Sequence, residues 1–138
     1  MTRRALLMAA CAAPVLADSA TSAWNVIADA ANALGQGNVA EFIAAFDKAM
    51  PGYAGLREDV TGLVRQDSVE SSLDMVENNG NDAERTMELD WLLVLKPSAG
   101  GANPARRRQT VKCRVARQGR KWRVVEFEPL DFFRAPAV

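Results

Sequence analysis

Met87-Glu-Leu-Asp-Trp-Leu-Leu-Val-Leu95 alternates apolar and polar side chains with a period of two. Met87, Leu89, Trp91, Leu93 and Leu95 fall on one face, with Glu88 and Asp90 on the other. That is the pattern of a strand burying a single side. Upstream, Val69, Leu73 and Met75 share a face opposite Glu70, Ser72 and Asp74, and Asn78-Asn-Gly-Asn-Asp82 supplies a turn. Downstream, PSAGGANP (97–104) is a loop, after which Val111, Cys113 and Val115 point inward and Lys112 and Arg114 outward. Gln118-Gly119 then turns the chain into Trp122-Arg-Val-Val-Glu-Phe127. There Trp122 and Val124 are in one phase, Val125 and Phe127 in the other, which predicts a β-bulge or a strand buried on both faces. Four strands joined by short connections imply an antiparallel meander.

Ahead of the strands the period is helical. Ser22 caps a first helix carrying Trp24, Ile27, Ala31 and Leu34, which Gly35-Gln-Gly37 ends. Asn38 opens a second, with Glu41 at the third position of a capping box and Phe42, Phe46 and Met50 as its stripe up to Pro51-Gly52. A third carries Leu56, Val60, Leu63 and Val64, weakened by the internal Gly62. The fold class is therefore α+β, with N-terminal helices packed on the apolar face of a curved four-stranded antiparallel sheet.

The chain is charge-balanced, with 17 Lys+Arg and 17 Asp+Glu, but the charges are segregated. Asp18–Leu95 holds 14 acidic and 4 basic residues, while 96–138 holds 11 basic and 3 acidic. Centring the second hairpin on its loop sets Trp91 opposite Val111, Leu89 opposite Cys113, Glu88 opposite Arg114 and Asp90 opposite Lys112. Such cross-strand pairs absorb part of the asymmetry, so it does not call for nucleic acid. Arg106-Arg107-Arg108 has no interleaved aromatics and reads as charged edge residues that discourage strand pairing.

The N-terminus reads as an address. Arg3 and Arg4 precede the apolar run Ala5–Val15, and Val15-Leu16-Ala17 offers a cleavage site before Asp18. About 11 apolar residues are too few to span a bilayer core, which takes about 20. Residues 1–17 are thus expected to be a signal peptide and 18–138 a single periplasmic or secreted domain without stable membrane insertion. Alternatively, Met8-Ala-Ala-Cys11 resembles a lipobox that would anchor the protein through Cys11. Cleavage after Ala17 leaves Cys113 as the only thiol, a small buried strand residue that cannot form an internal disulfide.

With no histidine, Ser-His-Asp and Cys-His nucleophiles and His-ligated metals are excluded. The sequence also has no phosphate-cradling Gly loop, no CxxC pair and no carboxylate calcium loop. Neither a metal nor a cofactor is expected.

Two stretches carry a family resemblance. Ala33-Leu-Gly-Gln-Gly-Asn-Val-Ala-Glu-Phe42 and Gln118-Gly-Arg-Lys-Trp-Arg-Val-Val125 resemble the first helix break and the closing hairpin of nuclear transport factor 2-like proteins. That is the cystatin-like cone fold that also includes SnoaL-like proteins. The chain departs from many members in showing no short strand between the second and third helices. The resemblance implies a curved sheet wrapped on helices, often with a pocket between them and often a homodimer through the sheet. The pocket candidates are Phe46, Tyr53, Trp91 and Trp122.

Enzymes with this fold include ketosteroid isomerase, limonene-epoxide hydrolase and scytalone dehydratase, and the last of these needs a histidine that is absent here. Asp74, Asp90 and Arg114 are similar in type to the hydrolase's Asp-Arg-Asp set. Alternation places them on the face opposite the apolar one, as a solvated charge ladder. Asp47 is a further acid at the bend. The function expected is an exported, non-catalytic small domain that binds an apolar small molecule or a protein partner. The alternative is a cofactor-free isomerase, cyclase or hydrolase working inside the cone.

Overall fold

Helix α1 (Ser19–Gly35) is capped by Asp18, whose carboxylate accepts from the Thr21 N–H at 3.0 Å. Ser22, the expected cap, lies one turn inside and donates to the Asp18 carbonyl. The computed structural model describes residues 18–100 and 103–136. The leader assigned to 1–17, with Cys11, lies outside the described residues. Ala23, Ile27, Ala30, Ala31 and Leu34 form the buried stripe of α1, and Trp24 is only partly covered.

Asn38 caps α2 (Val39–Ala44) as expected. The Glu41 N–H donates to its Oδ1 at 3.0 Å, and its Nδ2 donates to the Glu41 carboxylate at 3.1 Å. The helix stops at Ala44, however, before Phe46 and Met50. The Val124 N–H donates to the Ala45 carbonyl and the Asp47 N–H to the Val124 carbonyl, both at 2.8 Å. These bonds make a single parallel bridge, Phe46 to Val124, in place of a further helical turn. Both side chains stay buried all the same. Gly52, at φ +81°, leads into α3 (Tyr53–Gln66), which buries Leu56, Val60 and Leu63. A Cβ at Gly62 would meet Ala135 at 4.0 Å, so the C-terminal segment lies over this part of α3.

The sheet is an antiparallel meander ordered β1-β2-β3-β4, with β1 (Asp67–Gly80), β2 (Glu84–Pro97), β3 (Ala105–Gln118) and β4 (Lys121–Glu128). Met87, Leu89, Trp91, Leu93 and Leu95 are all buried, as are Val111, Cys113 and Val115. The β2–β3 register differs from expectation by two residues. Trp91 faces Gln109, Leu89 faces Val111, Glu88 faces Lys112 and Asp90 faces Thr110. A shift of two leaves every side chain on its expected face but changes every ion pair.

β1 departs further. It runs on through Gly80, so that the turn is confined to the residues before Glu84, and the register slips between Met75 and Glu77. Val76 is the extra residue, and past Leu73 the strand leaves the core. Met75 is 39% exposed and Val76 53%, so Met75 does not share the burial of Val69. In β4 the bulge does occur. Glu126 pairs with Arg114 and Val124 with Val115, leaving Val125 unmatched and turning both Val124 and Phe127 inward. Last, a 3₁₀ turn, Leu130–Phe133, tucks Phe132 and Phe133 beneath the sheet. No helix among the described residues is long and apolar enough to cross a membrane.

Candidate functional site

The curved sheet, the helices and the C-terminal turn enclose an aromatic interior. Phe42, Phe46, Trp91, Phe127, Phe132 and Phe133 meet with ring centroids 5.2–6.1 Å apart, mostly edge to face. Edge-to-face pairs contribute roughly 0.5–1.5 kcal/mol beyond area burial. Phe133 touches four of the other five rings and is fully buried. The C-terminal pair therefore fills the space between sheet and helices. Within this cluster the Trp91 indole N–H has no hydrogen-bond partner among the described residues.

The four pocket candidates do not share one pocket. Trp91 and Phe46 are core residues, bridged by Phe127. Tyr53 is half-buried at the start of α3 and lines an open hollow of about 310 Å³ with Ala44, Phe46, Asp47, Lys48, Gln118 and Arg123. Trp122 lies apart, in a polar recess with Ser22, Asp82, Arg117 and Arg120. Asp47 does approach Tyr53 at that hollow, but its oxygens are already engaged. They accept from the Ala49 N–H at 2.9 Å and from the Gln118 amide at 2.6 Å, and these bonds hold its carboxyl below the usual range. A general base at neutral pH needs the opposite shift.

The polar trio is divided between two clusters on the outer face of the sheet. Asp74 and Asp90 are direct cross-strand partners, and Arg108 grips Asp90 through Nε, at 3.0 Å, and Nη2. That grip holds the Asp90 carboxyl below its usual range, and Asp74 adds to the field that raises Arg108. Arg114 lies elsewhere on the same face, donating to Glu126 at 3.0 Å and to Glu84 at 2.8 Å, with the Glu126 carboxyl lowered in consequence. These charges satisfy one another, and Arg114 and Glu126 border an open hollow of about 390 Å³ with Pro51, Thr86, Cys113, Phe127 and Leu130.

Two of the three consecutive arginines are likewise committed, Arg108 to Asp90 and Arg107 to the C-terminal turn. Arg107, facing Leu93, donates to the carbonyls of Phe132 and Arg134 and so holds the C-terminal turn against the core. Cys113 is buried among apolar groups, which push its thiol up to about 12. One buried carboxylate escaped the sequence reading. Asp67, at the α3–β1 junction, is 5% exposed, and among the described residues its Oδ1 has no hydrogen-bond partner. It is in phase with the inward-facing Val69, and that is the signal that could have found it. Asp67 follows the last residue of α3 and Tyr53 is the first, so about 20 Å of helix separates them at 1.5 Å per residue. No acid–donor pair forms there.

No family model and no curated protein matches the chain. Solved structures do. A conserved protein from Planctomyces limnophilus superimposes with a TM-score of 0.71 at 11% identity, over 78% of this chain and 91% of that one. A nuclear transport factor 2-like protein with a cystatin-like fold from Novosphingobium aromaticivorans gives 0.64 at 12%, over 91% and 89%. A protein from the same organism, provisionally assigned as a scytalone dehydratase, gives 0.67 at 9%, over 78% and 79%. At such identities the likeness is one of fold: three helices on an open four-stranded antiparallel sheet, the cone of nuclear transport factor 2-like proteins. Fold alone does not carry function.

Proposed function

We propose that this chain is an exported, non-catalytic module that binds a protein partner through its outer surface. The observation that supports this reading is the aromatic filling of the cone, with Phe132 and Phe133 packed between the sheet and the helices. Catalysis in such a cone needs an inward carboxylate with a raised pKa and a donor aimed at developing charge. Asp67 and Tyr53 are at opposite ends of α3, and Asp47 is shifted in the wrong direction. Export rests on the sequence of residues 1–17, and the binding of an apolar small molecule would require the C-terminal turn to leave its place.

Native mass spectrometry of the protein purified from its own host tests the proposal. The expected species starts at Asp18 and carries a protein partner or none. A chain retaining a small apolar molecule, or a preparation that isomerises an enone steroid and loses that activity in Asp67→Asn, would overturn it. An acylated Cys11 start would replace the free exported form with an anchored one.

A further inference from the structure

The sheet has three stretches of edge, and the chain bonds along one of them itself. Along β4 the Ala45–Asp47 segment bonds to Val124 from outside. Beyond the end of β4, which pairs with β3 only over Lys112–Gln118, the start of β3 has no backbone partner on that side among the described residues, but it carries Arg106-Arg107-Arg108, charges that discourage strand pairing. The edge of β1 receives no backbone bond from another element among the described residues, although α1 runs alongside it and a Cβ at Gly35 would be 3.6 Å from the Val69 carbonyl oxygen. From Asp67 to Met75 it pairs with β2 without interruption, and the N–H and C=O groups pointing away from β2 find no backbone partner in another element. Over that stretch it has no proline, lysine or bulge, and its charged residues, Asp67, Glu70 and Asp74, are all acidic, so they oppose a like-charged strand rather than a basic one.

The charge of this edge is of one sign. β1 contains Asp67, Glu70, Asp74 and Glu77 and no basic residue, and the neighbouring α1 contains Asp29 and no basic residue. Among the described residues only Glu70 of these is in an ion pair, with Lys96 at 3.3 Å. A groove runs between Asn32 of α1, its C-cap Gln36 and the Val69–Ser72 backbone, and the buried Ser71 hydroxyl has no hydrogen-bond partner among the described residues. The strand's two exposed apolar side chains, Met75 and Val76, stand farther along it.

Resting on the reading of an outward-facing binding module, we propose that the β1 edge receives an extended segment of a partner protein as a fifth, terminal strand. The segment alternates basic with small apolar residues. Strand addition supplies main-chain hydrogen bonds, and alternate side chains supply specificity. Basic residues of the incoming strand lie beside Glu70 and Asp74 on the outer face, and apolar ones lie beside Val69, Leu73 and Met75. A second copy of β1 in that position would set acid against acid, which cross-strand pairing disfavours.

The test uses the ¹⁵N-labelled full chain and two capped octapeptides, alternating Lys with Val or Glu with Val. The Lys-Val peptide is expected to shift the amides of Glu70–Met75 and of Asn32–Gln36 saturably, and the Glu-Val peptide to leave them unmoved. In the double variant Asp74→Lys/Glu77→Lys, which removes no ion pair, the Lys-Val peptide should bind at least tenfold more weakly and the Glu-Val peptide should now bind. Ser71→Pro and Ser72→Pro give a second measure, because whichever N–H points outward is lost without disturbing the β1–β2 ladder. The proposal is overturned if neither peptide shifts β1, if both bind alike, or if sedimentation shows the chain pairing with itself through this edge. Failure here, with a protein partner retained from the host, leaves the wider reading standing. A small molecule retained in the cone would defeat that reading instead.

Discussion

Cys113 shows how far a side chain's chemistry is set by what surrounds it. Its thiol is buried, and desolvation of the thiolate pushes its pKa up to about 12. The thiolate is the reactive form. Labelling with a disulfide reagent at pH 8 is therefore expected to run at the rate of unfolding and to become immediate in urea. Rapid labelling of the native chain would show the site to be open. The raised pKa also means that the native state holds this proton more tightly, so stability should fall as pH rises from the ordinary thiol range towards 12. Asp90 and Glu126 behave in the opposite sense. Their native pKa values are lowered by Arg108 and Arg114, so their contribution is complete above the ordinary carboxylate range and is lost as pH falls through the native values. Carboxyl-carbon NMR titration should find both below their unfolded values, with Asp90 rising in Arg108→Gln and Glu126 unaffected. Movement of Glu126 as well would mean that the two clusters are coupled.

At the scale of elements, local chemistry was the readable part. Asn38 and Glu41 cap α2 as their spacing requires, and Asn38→Ala is expected to cost about 1 kcal/mol in a urea melt. Gly52 is a stricter case. It sits at φ +81°, a conformation that L side chains rarely adopt, so Gly52→Ala should destabilise by more than the Asn38 change even if the Leu130 side chain moves aside for the new Cβ. Alternation fixed the faces of β2 and β3 because the side-chain period is two, and the phase change at Val124–Val125 disclosed the bulge in β4. What remained hidden depended on partners distant in sequence. The two-residue slip of β2 against β3 preserves both faces, so the hydrophobic pattern carried no information about it, and the partners of Asp90 and Arg114 were misassigned. The end of α2 was equally illegible, since Ala45 and Asp47 leave the helix to bond Val124, nearly eighty residues away along the chain. Asp67 went unnoticed because a lone acid between a helix and a strand reads as a solvated one until the fold buries it.

For the molecule as a whole, the decisive feature is that its last turn belongs to its centre. Phe133 packs against Phe42, Trp91, Phe127 and Phe132, so the C-terminal residues complete a core that the preceding elements leave open. Truncating a buried phenylalanine to alanine costs about 3–5 kcal/mol, out of a total of about 5–15 for a typical domain. Phe133→Ala is therefore expected to lower the urea midpoint steeply while the chain still folds, and Phe133→Leu to lower it less. Arg107→Gln should act in the same direction by a smaller amount, because it frees the carbonyls of Phe132 and Arg134 while leaving the rings in place. The fluorescent probe anilinonaphthalene sulfonate separates a core element from a removable cover. If the turn is part of the core, probe binding should appear only in Phe133→Ala and should rise along with unfolding. If Arg107→Gln instead binds the probe at full native stability, the turn lifts away as a unit, and the cone is a ligand chamber with a detachable floor.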